Sequence, residues 1–231
     1  MRRAAYLVLL CVGLVFAQSR TAPSTFTPTV GAPELHVEGD NLTDIQRKLY
    51  DYAQSGQYDR EITQVTKAAH DWVETRAGSA APNEKLAAIF DIDETLLSNL
   101  PNMLNCGFCS GGAQGKLFQG VRIPAIPEVR DLYSFAKSRG ITVIVLTGRY
   151  ESGRDATIHD LQDAGYSGWE ELLMRPNADS DPARIMKAGV RQDVEKKGYK
   201  IILNIGDQLS DLIGGHSERT YKLPNPFYFV E

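Results

Sequence analysis

Three short runs of the chain concentrate carboxylates and hydroxyls. Asp91-Ile92-Asp93-Glu94-Thr95 follows the apolar run Leu86-Ala87-Ala88-Ile89-Phe90. Thr147-Gly148-Arg149 follows Ile141-Thr142-Val143-Ile144-Val145-Leu146, and Gly206-Asp207-Gln208-Leu209-Ser210-Asp211 follows Ile201-Ile202-Leu203-Asn204-Ile205. Asp91 and Asp93 are two apart, so on an extended chain both side chains face the same way. With Asp207 and Asp211 they offer oxygen donors only. That set suits Mg²⁺, which takes carboxylates and keeps several waters. It does not suit zinc, which favours His and Cys. Carboxylates this close would repel one another without a cation. Asp-x-Asp-x-Thr alone is a weak signal, and its bland reading is a strand end followed by a helix cap. Its weight comes from the two companion clusters, each at the end of an apolar run.

The elements that must position these clusters follow from periodicity. The three apolar runs, with a weaker one at Glu171-Leu172-Leu173-Met174, read as strands buried on both faces. Helical patterns lie between them, with Gly140, Gly165 and Gly198 as stops. Alternating strand and helix predicts an α/β fold, a Rossmann-like parallel sheet with helices on both faces. In such sheets, sites form beyond the carboxyl ends of the strands. Two amphipathic helices precede the sheet. Ile45, Leu49 and Tyr52 mark one, opened by a Thr43–Gln46 capping box and ended by Gly56. Ile62, Val65, Ala69, Trp72 and Val73 mark the second, closing near Gly78. Residues 98–125 break the alternation and read as a small insert, or cap, over one end of the sheet.

At this point the sequence resembles a known family. Phe90-Asp91-Ile92-Asp93-Glu94-Thr95-Leu96-Leu97 resembles the first motif of the haloacid dehalogenase superfamily. Leu146-Thr147-Gly148-Arg149 is similar to the second. Lys187, four residues before Arg191 in a helix ending at Gly198-Tyr199, is similar to the third. Ile205-Gly206-Asp207-Gln208-Leu209-Ser210-Asp211-Leu212 is similar to the fourth. The details, including Lys222-Leu223-Pro224-Asn225-Pro226 near the end, resemble the acid phosphatase branch that holds bacterial class C enzymes and plant vegetative storage proteins. The resemblance runs over roughly residues 40–231.

The resemblance implies hydrolysis of small phosphomonoesters, with a tilt toward nucleoside monophosphates and aryl phosphates. Asp91 would be the nucleophile and Asp93 the acid–base. Thr147, Gly148 and Lys187 would grip phosphate. Mg²⁺ would be held by Asp91, the Asp93 backbone carbonyl, Asp207 and, directly or through water, Asp211. Glu94 is expected beside the site or at a helix start, Thr95 bonded to nearby backbone, and Arg149 paired with an acid. Phe108 and Phe118 either stack on an aromatic leaving group or pack the insert. Two other readings stay open: a non-catalytic storage or binding protein on the same fold, and a phosphotransferase.

Composition sets the outer bounds. The chain has 231 residues, 42% hydrophobic and 23% charged, which excludes a collagen-like fibre, a wholly disordered chain and a multi-pass membrane protein. A net charge of −4 without a basic stripe argues against a nucleic-acid polymer as partner. Residues 1–17 read as a signal peptide: Met1-Arg2-Arg3, an apolar run from Ala4, and Val15-Phe16-Ala17 before the cut. That run is too short for a comfortable span, and Leu10 before Cys11 is too large for lipidation, so no stable membrane anchor is expected. Export then follows, to the periplasm or the medium. Residues 18–40 read as a flexible lead-in, and 41–231 as a single domain. Asn41-Leu42-Thr43 fits the N-glycosylation pattern, relevant only in a eukaryotic host. In an exported protein, Cys106 and Cys109 are expected to form a local disulfide, with free thiols or a metal or redox role as alternatives.

Overall fold

The computed structural model describes residues 41–109 and 122–231. The leader, the lead-in and Phe118 lie outside these residues. Two helices come first, α1 (Leu42–Gln54) and α2 (Gln57–Gly78). The first strand, β1, is Lys85–Phe90, and a short helix, α3 (Leu100–Asn105), follows. Then come α4 (Pro127–Ser138), β2 (Thr142–Tyr150), α5 (Arg154–Asp163) and β3 (Glu171–Arg175). The chain continues through α6 (Ala183–Lys196), β4 (Tyr199–Gly206), α7 (Leu209–Leu212) and β5 (Thr220–Lys222).

All five strands run parallel in the order β3-β2-β1-β4-β5. β1 is central. The chain winds outward from it to β2 and β3, then returns to β4 on the other side. The order therefore reverses beside β1, where open sheets leave a crevice at the carboxyl ends. Strand alternation divides the core. Ala88, Phe90, Val143 and Val145 join one cluster with Ile62, Val65, Ala69 and Val129 of α2 and α4. Ala87, Ile89, Ile144 and Leu146 face the other way, onto Val194 of α6. Both faces are thus apolar, which is why the strand sequences lack polar alternation.

Gly140, Gly165 and Gly198 each follow a helix with a left-handed φ, as their position after α4, α5 and α6 predicts. Two local expectations are corrected. The side chain that caps α1 is Asn41, whose Oδ1 accepts the Asp44 N–H at 3.0 Å; Thr43 already lies inside the helix. The second strand continues to Tyr150, so Thr147-Gly148-Arg149 lies within it. There the register against β3 shifts, from Leu146↔Leu173 to Tyr150↔Arg175, so the motif bulges out of the ladder. The edge strand β5 carries no apolar run of its own and was not legible.

Candidate active site

Each cluster reaches the sheet edge by its own route. Asp91 is the first residue past β1, and its N–H donates to Ile205 O at 3.1 Å. Asp207 is the first past β4. Asp211 folds back beneath that strand end: its Oδ2 accepts the Gln208 N–H at 2.8 Å. This return needs a glycine at 206, because a Cβ there would stand 2.4 Å from Asp211 Oδ2. Lys187 enters from one turn inside α6. Arg191, one turn further on and wholly buried, donates to the backbone oxygens of Asp211 (2.6 Å), Ile213 and Gly215 (2.9 Å), which fixes the loop after α7.

Asp91, Asp207 and Asp211 are 6%, 2% and 4% exposed, and each offers a carboxylate oxygen within 4.8 Å of the others. Lys187, equally buried, spans two of them: Nζ lies 2.6 Å from Asp91 Oδ1 and 2.5 Å from Asp211 Oδ1. A second ammonium, that of Lys222, acts on Asp207 and Asp211. Burial first, then Asp211, Asp207 and Asp93, push the Asp91 carboxyl well above its ordinary range despite Lys187. Burial, then the Asp211 and Glu94 charges, push Asp207 up to about 8. Crowded carboxylates raise one another in this way, and a bound cation would relieve that repulsion. Buried oxygen donors fit a hard divalent cation, so the cluster can hold a metal.

The Asp93 side chain does not join this cluster. Past Asp91 the chain turns, with Thr95 N–H donating to Ile92 O at 3.2 Å, and Asp91 and Asp93 both line one cavity. Asp93 instead meets Arg149, whose Nη2 and Nε reach its two oxygens at 2.7 and 2.9 Å, and Asn99 Nδ2 at 3.1 Å. Burial raises its carboxyl, but the Arg149 charge and hydrogen bonds outweigh that and hold it below its ordinary value. The expected pairing of Arg149 with an acid is thus present, and doubled by Asp160 at 3.0 Å.

One cavity of about 680 Å³ joins these groups, lined by Asp91, Asp93, Gly148, Lys187, Asp207 and Asp211 among others. Thr147 is buried just behind Gly148, and its Oγ1 accepts the Arg149 N–H at 3.1 Å. Glu94 has a positive φ of 50° and accepts the Asn99 N–H at 2.5 Å and the Tyr228 O–H. Burial and then Asp93 raise its carboxyl to about 7. Thr95 Oγ1, expected on nearby backbone, is buried without a hydrogen-bond partner among the described residues. Phe108 packs rather than waits for a ligand: its ring stacks on Phe227 at 5.5 Å and meets Tyr50 edge-on at 5.0 Å. Cys106 and Cys109 are joined as a disulfide. Sequence reasoning left out Asn99 and Met103, which line the cavity, and a group close to the chain end. Phe227, Tyr228, Phe229 and Val230 all line the cavity.

A parallel sheet whose strand ends gather three carboxylates and a lysine, with Asp-x-Asp after the central strand, defines a phosphate-handling enzyme of the haloacid dehalogenase fold. The family model of HAD superfamily subfamily IIIB (acid phosphatase) matches residues 26–231, and the chain belongs to that family. It is a phosphomonoester hydrolase by class. It is 33% identical to vegetative storage protein 2 of Arabidopsis thaliana, over 85% of this chain and 78% of that one. It is 34% identical to acid phosphatase 1 of Solanum lycopersicum, over 75% of this chain and 69% of that one. The class C acid phosphatase of Bacillus anthracis shares the fold, with TM-score 0.66 at 21% identity, over 81% of this chain and 86% of that one.

Proposed function

We propose that the protein is a secreted, Mg²⁺-dependent acid phosphatase working through an aspartyl-phosphate on Asp91. The observation that carries this reading is Lys187, held between Asp91 and Asp211 inside the carboxylate cluster. Asp91 attacks phosphorus in line, so one difficult displacement becomes two easier ones. Lys187, the Gly148 N–H and the Thr147 hydroxyl bind the phosphoryl oxygens and stabilise charge as it develops. Asp91, the Asp93 backbone carbonyl, Asp207 and, directly or through water, Asp211 would hold Mg²⁺, which would supply charge screening between nucleophile and phosphate. Asp93 donates a proton to the leaving oxygen, then takes one from water. Such acid–base help is worth about 10²–10⁴ in rate.

In the same reading, residues 1–17 are a signal peptide, 18–40 a lead-in and 41–231 one domain with an insert at about 98–125. No helix among the described residues is long and apolar enough to cross a membrane. The preferred substrates are nucleoside monophosphates and aryl phosphates. A storage role has support in the vegetative storage relatives. Against a purely non-catalytic protein stands the full set of Asp91, Asp93, Lys187 and Asp207. Hydrolysis of a phosphomonoester panel across pH, with and without Mg²⁺, tests the reading alongside Asp91→Asn. Mg²⁺-dependent turnover lost in the variant supports it; turnover retained in Asp91→Asn, or in excess chelator, overturns it.

A further inference from the structure

The segment after β5 runs back across the mouth of the cavity and touches three of the elements that carry the site. Tyr228 O–H donates to Glu94, next to Asp93. Val230 N–H donates to Gln208 Oε1 at 3.1 Å, and Ser210 Oγ donates to Val230 O at 3.1 Å. Ala183, which opens the helix of Lys187, donates its N–H to Glu231 O at 3.0 Å. The contact nearest the chemistry is Asn225. Its Nδ2 donates to Asp207 Oδ2 at 2.6 Å, while its Oδ1 accepts the Phe227 N–H at 2.9 Å. Gln208 Nε2 donates to the same Asp207 oxygen, also at 2.6 Å. Two amides therefore saturate Oδ2, and Oδ1 accepts no protein donor among the described residues.

We infer that Asn225 is a positioning residue for the cation site: it pins Asp207 by one oxygen so that the other stays directed at the Asp91–Asp211 cluster. A carboxylate free to swing about its Cα–Cβ and Cβ–Cγ bonds would lose that orientation on each metal-free excursion. Outer partners of metal ligands act in this way, and their loss typically costs about 10–100-fold in metal affinity or activity. Asn225 suits the task because the segment itself holds it. Its turn bond to Phe227, and the packing of Phe227 on Tyr58 (5.5 Å) and Phe108, fix where the amide points. The inference rests on the proposed cation dependence.

The test is Asn225→Ser. A serine hydroxyl can keep the turn bond to Phe227 N–H but is too short to reach Asp207. Mg²⁺ binding is measured directly by titration calorimetry, without substrate, and melting is followed in chelator and in Mg²⁺. The expected result is a Mg²⁺ dissociation constant raised at least about 10-fold, a melting temperature in chelator close to wild type, and a smaller Mg²⁺-induced rise in melting. Arg184→Ala serves as comparison. It cuts the ion pair to Glu231 (3.1 Å) at the end of the same segment and leaves Asn225 in place. It should bind Mg²⁺ as wild type does. Should Asn225→Ser fail to fold, Asn225→Ala, which also removes the donor to Asp207, carries the same affinity measurement. Equal Mg²⁺ affinity in wild type and the Asn225 variant overturns the inference while leaving the phosphatase reading intact. Equal weakening in Arg184→Ala also overturns it, since general loosening would then suffice. No Mg²⁺ binding by wild type overturns the cation reading itself.

Discussion

Arg149 grips both carboxylate oxygens of Asp93 in one fork, through Nη2 at 2.7 Å and Nε at 2.9 Å. Asp160, a turn along α5 from the bulge, holds the third nitrogen at 3.0 Å. The fork is planar, so it holds Asp93 by both oxygens, apart from the Asp91–Asp207–Asp211 carboxylates. Lysine cannot copy a bidentate grip. Arg149→Lys should therefore slow turnover on alkyl phosphates by about 10-fold or more, a part of the acid–base contribution. Aryl esters, which need less protonation, should lose less. Steady-state kcat on a matched alkyl and aryl pair checks this; equal rates to wild type on both would remove the fork from the account.

Lys187 is the cation of a buried group with two carboxylates in direct contact. Lys187→Met leaves both without it. Breaking a buried pair from one side typically costs about 3–5 kcal/mol. Urea unfolding in chelator should show a loss of this order, and added Mg²⁺ should restore part of it by binding the freed carboxylates. Phosphatase activity should fall sharply in either condition. Unchanged unfolding in chelator would contradict the buried-pair geometry.

How far the sequence could be read divides along physical lines. The strands were legible because both faces are buried, so β1, β2 and β4 spell apolar runs. Asp91, Asp207 and Lys187 were legible because each has a fixed place, at a strand end or inside a helix. The sequence does not show that the Asp93 carboxylate stays apart from Asp91, Asp207 and Asp211, because Arg149, 56 residues on, takes both its oxygens. Asn225 and Tyr228 carried no signal beyond the resemblance of Lys222–Pro226, because long-range contacts with Asp207 and Glu94 leave no periodicity. β5 was missed for a related reason: three residues at a sheet edge need only Tyr221 buried.

Arg76 joins Glu84 at 2.6 Å and Glu218 at 2.9 Å, tying α2 to the turn before β1 and to the approach to β5. The hydrogen bonds from Arg76, with those from Ala81 and Lys200, lower the Glu84 carboxyl to about 2 from an ordinary 4.5. A lowered folded-state value means stabilisation that is complete above about 4.5 and lost as pH falls toward about 2. Glu84→Gln should thus melt below wild type at neutral pH, and the two curves should converge near pH 2. A constant gap across that window would argue against the ion pair.

The Cys106–Cys109 bond closes a very small ring. Loop-closure entropy for a ring this size gives about 2 kcal/mol at most. The double Cys→Ser variant should fold and keep its activity, with a modest fall in melting temperature. Two thiols titrating in protein purified without reductant would contradict the bond.

In the proposed mechanism Asp91 takes the phosphoryl group and Asp93 moves the protons. The most direct measurement is rapid quench of Asp93→Asn with an aryl phosphate, followed by mass spectrometry of the Asp91 peptide. A nitrophenolate leaves well without a proton, so Asp91 is still phosphorylated. Dephosphorylation lacks its base, so phosphate should accumulate on Asp91. Asp91→Asn should show none, on any ester, and Asp93→Asn should be far slower on an alkyl ester than on the aryl one. Equal losses on the two esters, with no phosphate trapped on Asp91, would contradict the account.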